Sequence, residues 1–366
     1  MLDLLEAQDF FPKFYWEDRS GVSIAACGAV KEWNELPETN ERVYGGMSFC
    51  HNSALWQEFP ETYFFLPAFE LREEAGKIQR INRTGIALKD PLVLPTQHQI
   101  LSTKQTPSYD AWHAQVEEAL IHIAKGSLEK VVLARRVELQ LDQAVSPWTL
   151  LKQLKKTITQ NSVTFFCLQI SPTAAFLGAT PELLYKRHGT TLQSEAVAAT
   201  TLIPEELFHC EKKQREFFCV TKELQTLFSH LCTEYNATNP SPRRSAQLFH
   251  LTQQFSGILK PFYRDSLLLG QLHPTSAIGG YPKKAALKTI LSLESCERGW
   301  YSGPIGWKDL ETAQFCVAIR SVLLRGTSAH LFSGTGIVAG SNPLDEWEEL
   351  NQKIKPIQDA LAATSY

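Results

Sequence analysis

Short apolar runs recur along the last two-thirds of the chain, at 131–139, 163–170, 174–179, 313–324 and 329–332. Several are joined by connections too short for a crossover helix, which predicts a large, mainly antiparallel sheet. Helical periodicity interrupts them. From Lys212 to Leu231 the residues Phe217, Val220, Leu224, Leu227 and Leu231 return at steps of three or four, one buried stripe of a helix. A second helix is expected from Asn342, a good N-cap, with Pro343 at its first position and Asp345 and Glu346 in its first turn. Pro356 should end or kink it.

The stretch from Pro91 to Tyr109, rich in Pro, Ser and Thr, is the best candidate boundary. It divides an aromatic-rich N-terminal portion, residues 1–108, from residues 109–366, with independent folding expected of neither. No repeat or low-complexity tract is visible. The pattern as a whole reads as α+β, a sheet core with outer helices.

Composition changes this picture little and narrows the partners. With 366 residues, 43% of them hydrophobic, the chain can bury a substantial core, and a net charge of −3 with scattered Lys and Arg argues against nucleic acid. No apolar run approaches the roughly 20 residues that span a bilayer. Asp3 and Glu6 stand where a signal peptide needs positive charge. The eight cysteines form no C-x-x-C pair, and several sit inside apolar runs, so a reduced, cytoplasmic protein without membrane partners is expected.

Five places carry chemistry. Glu346, Glu349 and Lys353 share one face of the C-terminal helix, which is either a solvated charged face or a hard oxygen site of the kind magnesium prefers. Before it, Ser333-Gly334-Thr335-Gly336 is either a tight turn or a close backbone approach to a ligand, and it lacks the third glycine of a dinucleotide fingerprint. Lys130 opens an apolar strand, either snorkelling to solvent or desolvated as a general base. Glu182, in a turn between apolar strands, is either exposed or shielded as an acid. Arg320 points to a covered sheet face and needs an anion, a structural carboxylate or a substrate's.

Taken in order, these segments resemble the chorismate-utilising enzymes. The resemblance runs through Lys130 in KVVLAR, Glu182 in GATPELL, 196–200 in AVAAT, Glu216 in KKQREF, 273–279 in HPTSAIG, 301–307 in YSGPIGW, Arg320 in VAIR, GTGIV, and 346–353 in EWEELNQK. It covers roughly residues 120–356. Residues 13–16, 44–49 and 66–71 are similar to the isochorismate synthase branch, which serves menaquinone and siderophore synthesis.

The resemblance implies the anthranilate synthase component I-like fold and a magnesium-dependent reaction on chorismate. Metal ligands would be Glu216 and Glu349, with Glu346 direct or through water. Lys130 would take a proton from a water attacking C2, and Glu182 would protonate the hydroxyl leaving C4. Arg320 and Tyr301 would hold the enolpyruvyl carboxylate. Thr200, His273, Ala277, Ile319, Gly334, Gly336 and Lys353 would complete the substrate pocket.

Water rather than ammonia is expected, because Ala198 stands where the aminodeoxychorismate type carries a nucleophilic lysine. Ala277 resembles isochorismate-forming members. The alternative is salicylate synthase, which goes on to eliminate pyruvate, and a non-catalytic chorismate-binding homologue is a more distant one. A free-standing enzyme without a glutamine amidotransferase subunit is implied. Ala199, where the family has glycine, and Thr201-Leu202-Ile203-Pro204, where it has a basic stretch, depart from the pattern.

Overall fold

The computed structural model describes residues 1–50, 54–90, 98–158, 163–245 and 248–363. The alternating run that opens at Lys130 is the strand Lys130–Leu141, paired antiparallel with Ser328–Val338 so that Val132 lies opposite Gly336 and Ala134 opposite Gly334. Successive side chains leave opposite faces of a strand. Val131 and Leu133 therefore enter an apolar cluster with Trp112, Val116, Ile337 and Leu350 under the outer helices. Lys130 and Val132 face the other way, toward the interior where the candidate site lies.

Every strand pairing recorded among the described residues is antiparallel, and the ladders connect nineteen strands. The expected antiparallel core with outer helices is the fold observed. Residues 1–108 contribute to it directly. Lys13–Glu17 pairs with Ser23–Trp33 on one side and with Thr164–Ser171 on the other, and Val43–Met47 pairs with Pro304–Lys308. Of the stretch read as a boundary, residues 91–97 lie outside the described residues. The part after them contains the strand Ile100–Thr106, paired to Lys130–Leu141 and exposed along nearly its whole length. Its polar residues mimic a linker because an edge strand with solvent beside it needs few apolar side chains.

The helix expected from Lys212 spans Glu211–Leu231 and packs on the strands Thr191–Thr201 and Leu248–Leu259. Its buried stripe includes Phe217, Val220, Leu224, Phe228 and Leu231, with Leu227 only partly buried. Phe228, four residues after Leu224, takes the place given to Leu227.

The C-terminal helix is Pro343–Ala363, capped as expected, with Asn342 Oδ1 accepting from the amides of Leu344 at 2.9 Å and Asp345 at 3.3 Å. Pro356 does not end it. The helix continues through the proline because Ile354, Ile357, Ala360 and Leu361 are buried with Trp148, Leu151 and Leu154 of the helix Pro147–Thr157. That burial, at about 25 cal/mol per Å² of apolar surface, offsets the roughly 3 kcal/mol an internal proline costs.

Leu350 is fully buried against Leu133 and Trp112, on the helix that carries Glu346, Glu349 and Lys353. Leu350→Ala should lower the unfolding free energy by about 2–5 kcal/mol through the cavity it leaves. Leu344→Ala, at a position 53% exposed in the same helix, should stay within about 0.5 kcal/mol of the wild type. Urea denaturation of both variants checks the contrast.

Candidate active site

One cavity collects most of the residues that the sequence singled out. Its wall includes Glu182, Thr200, Glu216, Ala277, Tyr301, Ile319, Arg320, Gly334 and Lys353. Lys130, His273, Gly336, Glu346 and Glu349 are not on that wall. Glu349 lines an adjoining cleft with Lys212 and Lys213, and Thr200 borders both spaces.

Gly336 explains how Lys130 takes part from behind. A Cβ on Gly336 would stand 2.5 Å from Glu216 Oε1 and 2.6 Å from Lys130 Cε, so a side chain there would displace the ends of both residues. Lys130 is fully buried, and its Nζ lies 3.2 Å from Glu216 Oε1, the carboxylate that does reach the cavity. Gly334 plays the same part for Tyr301, whose hydroxyl would lie 2.9 Å from an added Cβ. Tyr301 stacks on Phe332 with centroids 5.2 Å apart, which holds its ring at the wall.

Glu182 follows the strand Ala174–Thr180 and is 4% exposed. Its Oε1 accepts from Thr275 Oγ1 at 3.3 Å. Burial pushes its carboxyl up to about 8, helped by the charge of Glu195 and opposed by Lys130, Thr275 and Arg243. Near neutrality it carries a proton, which is what a general acid requires.

Arg320 answers the question left open by its position. Among the described residues no carboxylate pairs with its guanidinium, and the side chain lines the cavity. Burial lowers it to about 10, with Glu349 and Tyr301 acting against that shift, so the group stays cationic at neutral pH. Its backbone is left-handed, φ 52°. Ala199 at φ 60° and Ser302 at φ 65° also line the cavity, leaving Ala75, in a hairpin turn, as the other non-glycine residue of this kind among the described residues. Such backbone costs of order 1–3 kcal/mol per residue and gathers at functional sites.

His273 stands behind the wall. Its Nε2 is 3.0 Å from the carbonyl of Ser302, and since a carbonyl only accepts, that nitrogen carries the proton. Burial lowers it to about 4, so the ring is neutral. It orients Ser302, which does line the cavity.

The three acidic residues expected to hold magnesium form two groups. Thr335 Oγ1 lies 2.6 Å from Glu346 Oε2 and 3.1 Å from Glu349 Oε1, one hydroxyl between two carboxylates. Glu346 pairs with Lys212, and Lys353 Nζ reaches Glu349 Oε1 at 2.6 Å and the Gly334 carbonyl at 2.8 Å. Burial first, then the charge of Glu349, raises the Glu346 carboxyl. Burial opposes ionisation of Glu349 as well, but Lys353, Lys212 and Lys213 outweigh it and lower that carboxyl. Glu216 belongs with Lys130. No three acidic, His or Cys side chains among the described residues converge as a ready ion cage. The donors are nonetheless hard carboxylate oxygens, and repulsion between Glu346 and Glu349 is what a divalent cation would relieve.

Several neighbours were not singled out by sequence. Lys212 lies four residues before Glu216 on the same helix, a spacing that could have flagged it. Thr275 sits inside HPTSAIG, and Thr335 inside GTGIV. His250, whose Nδ1 is 3.3 Å from Thr200 Oγ1 and whose burial keeps it neutral, gave no signal, because only the ladder between 191–201 and 248–259 brings it here.

Comparison with known proteins identifies the family and the fold. The family model for chorismate binding enzymes matches residues 22–362. The isochorismate synthase MenF of Bacillus subtilis is 33% identical over 87% of this chain and 74% of its own length. MenF of Haemophilus influenzae is 28% identical over 96% of this chain and 87% of its own. Among solved structures, MenF, the menaquinone-specific isochorismate synthase of Escherichia coli, superposes with a TM-score of 0.87 at 26% identity, covering 98% of this chain and 91% of that one. Anthranilate synthase component I of Streptococcus pneumoniae shares the fold, with a TM-score of 0.77 at 19% identity over 92% of each chain. An antiparallel sheet that encloses Glu182, Glu216, Tyr301, Arg320 and Lys353 in one cavity, matched along nearly the whole chain, places this protein in the chorismate binding enzyme family.

Proposed function

We propose that the protein is an isochorismate synthase, converting chorismate to isochorismate. The observation that carries this reading is the pairing, across one cavity, of a cationic Arg320 that meets no carboxylate partner among the described residues with a buried, protonated Glu182. Chorismate is a dicarboxylate with a leaving hydroxyl. Arg320 and Tyr301 receive the enolpyruvyl carboxylate, a charge-assisted contact in a dry site. The ring carboxylate then lies toward Glu216, Glu346, Glu349 and Lys353.

Glu216, Glu346 and Glu349 would hold a magnesium ion. When bound, that ion supplies the positive charge that lets acidic residues face a carboxylate substrate. Lys130 accepts a proton from the water whose oxygen bonds to C2. The ring double bonds migrate, the C4–O bond breaks, and Glu182 gives its proton to the departing hydroxyl, which leaves as water. Proton gain at Lys130 and proton loss at Glu182 balance.

Ala198 is on the cavity wall, and its methyl offers no amine for a covalent ring adduct, which supports water as the nucleophile. Ala277, on the same wall, supports isochorismate as the end product. The free-standing form and cytoplasmic place of the enzyme fit its relatives' full-length likeness and its cysteines, all eight of which are free thiols. No helix among the described residues is long and apolar enough to cross a membrane.

Incubation with chorismate and magnesium should yield isochorismate by chromatography, with activity lost on EDTA and restored by magnesium. Salicylate with pyruvate would identify the lyase instead, and no consumption of chorismate would remove the enzyme reading. Lys130→Ala should lower kcat by at least about 10³-fold while circular dichroism stays native. Turnover like the wild type would take Lys130 out of its role.

The pH profile carries a separate expectation. Because the Glu182 carboxyl is raised from 4.5 to about 8, it is protonated below that value, and kcat should fall as pH rises through about 8. The same shift links to stability. Its contribution is complete below 4.5 and is lost progressively as pH rises from there through about 8, because the unfolded chain releases a proton that the folded state still holds. Glu182→Gln should abolish turnover and also flatten that loss between about pH 4.5 and 8 in thermal unfolding.

A further inference from the structure

The backbone that carries Glu182 is held from three distant parts of the chain. The residue lies in the two-residue gap between the strands Ala174–Thr180 and Leu183–His188. Its own amide reaches Thr180 Oγ1 at 3.3 Å, and its carbonyl accepts from Val317 at 3.1 Å. The peptide groups on either side are bound by side chains. The Pro181 carbonyl accepts from Arg19 Nη2 at 3.2 Å and from Arg243 Nη2 at 2.9 Å. The Leu183 amide donates to Glu195 Oε1 at 3.0 Å.

Those three side chains are bound to one another. Arg19 donates through both terminal nitrogens to Glu195, with Nη1 at 3.1 Å from Oε2. Arg243 does the same from the other side, at 2.6 Å to Oε2 and 3.2 Å to Oε1. Arg19 comes from the turn after Lys13–Glu17, Glu195 from the strand Thr191–Thr201, and Arg243 from Ser241–Ser245. None of the three lines the cavity, whereas Pro181 and Glu182 do.

Stability alone is a weak reason for such a cluster. A buried ion pair or triad can often be replaced by apolar residues of similar volume without loss, since desolvation consumes most of the Coulombic gain. What this one does is specific. Outside the cluster itself, the only groups that its side chains bond among the described residues are the Pro181 carbonyl and the Leu183 amide, the two flanks of Glu182.

We propose that Arg19, Glu195 and Arg243 are positioning residues for the proton donor, a clamp that fixes the Pro181–Leu183 backbone so that the Glu182 carboxyl is presented to the cavity beside Thr275. The proposal rests on the isochorismate synthase reading only for the identity of the reaction. Electrostatics support it. The groups acting on Glu182 are Glu195 on one strand, Lys130 on a second, Arg243 on a third, and the neutral Thr275 hydroxyl, and of these only Glu195 favours the protonated acid. The clamp thus sets the donor's place through backbone contacts, and Glu195 adds to the burial that raises its carboxyl.

The test uses Arg19→Lys, Arg243→Lys and Glu195→Gln in the full chain. Lysine keeps the charge but cannot bridge Glu195 and the Pro181 carbonyl as a planar fork. A misplaced donor should reduce kcat by about 10–100-fold in each while KM for chorismate stays within about threefold. A cluster that merely supports the fold would lower Tm without that split. Glu195→Gln should also move the alkaline limb of kcat to lower pH, because a like charge is gone and two guanidiniums are left less neutralised. Wild-type kcat in the lysine variants with an unmoved limb in Glu195→Gln would overturn the clamp.

A readout independent of turnover separates this proposal from the function it builds on. The pH-dependent difference in Tm between the wild type and Glu182→Gln reports ionisation of Glu182 directly. Repeated in the Glu195→Gln background, that difference should level off at lower pH, and an unchanged levelling point would overturn the clamp. If the wild type fails to consume chorismate yet the difference moves, the reaction assignment falls and the clamp stands. Should Glu195→Gln not fold, Arg19→Lys and Arg243→Lys decide by their effect on kcat and on the same Tm difference.

Discussion

The cavity depends on two missing side chains. Gly334 and Gly336 alternate along Ser328–Val338, opposite Ala134 and Val132, and their bare backbone is what lets Tyr301, Glu216 and Lys130 converge. With any Cβ at 336, the Lys130 side chain and the Glu216 carboxylate could not remain where they are. The ladder with Lys130–Leu141 fixes the register, and a slip of one residue would turn Lys130 toward the apolar cluster around Trp112. The C-terminal helix builds on the same strand. Lys353 reaches the Gly334 carbonyl, and Thr335 touches Glu346 and Glu349.

From that scaffold follows a separation of charge. On one side, Lys130, Lys212 and Lys353 are engaged by Glu216, Glu346 and Glu349. On the other, Arg320 pairs with no carboxylate among the described residues, and burial, with Glu195, leaves Glu182 protonated. A dicarboxylate substrate suits this asymmetry. In the reading proposed above, one carboxylate would satisfy the arginine, while the other would meet the region of Glu216, Glu346 and Glu349, where an added divalent cation would supply the positive charge.

What could be read from the sequence follows the range of each signal. Capping by Asn342, the shared face of Glu346, Glu349 and Lys353, and the alternation from Lys130 are local, and all are present. Pro356 misled because its cost is local while the compensating burial comes from another helix. His273 was assigned to the pocket by motif, yet it acts through Ser302, a partner 29 residues away. The pairing of Lys212 with Glu346 joins two helices far apart in sequence, and neither periodicity reveals it. Composition set residues 1–108 apart without implying that they fold alone, but which strands they pair with could not be read, because a strand's pairing partners are not written in its own residues.

The strained backbone at Ala199, Ser302 and Arg320 shows how the sheet sustains the site. At of order 1–3 kcal/mol each, three left-handed residues would strain a marginally stable domain if their neighbours were free to relax. They are not. Ser302 donates its amide to Ala318 at 3.0 Å and has its carbonyl held by His273; Arg320 accepts from the amide of Ala179 at 3.1 Å. Ala199 is the unpaired residue of a bulge, with Ala198 opposite Leu251 and Thr200 opposite His250 on either side. A bulge of this kind re-aims one side chain without ending the ladder, and here it turns Ala199 and Thr200 into the cavity wall. Glycine would adopt φ 60° with less strain. The methyl at 199 therefore persists on the cavity wall in a conformation that the surrounding strands impose.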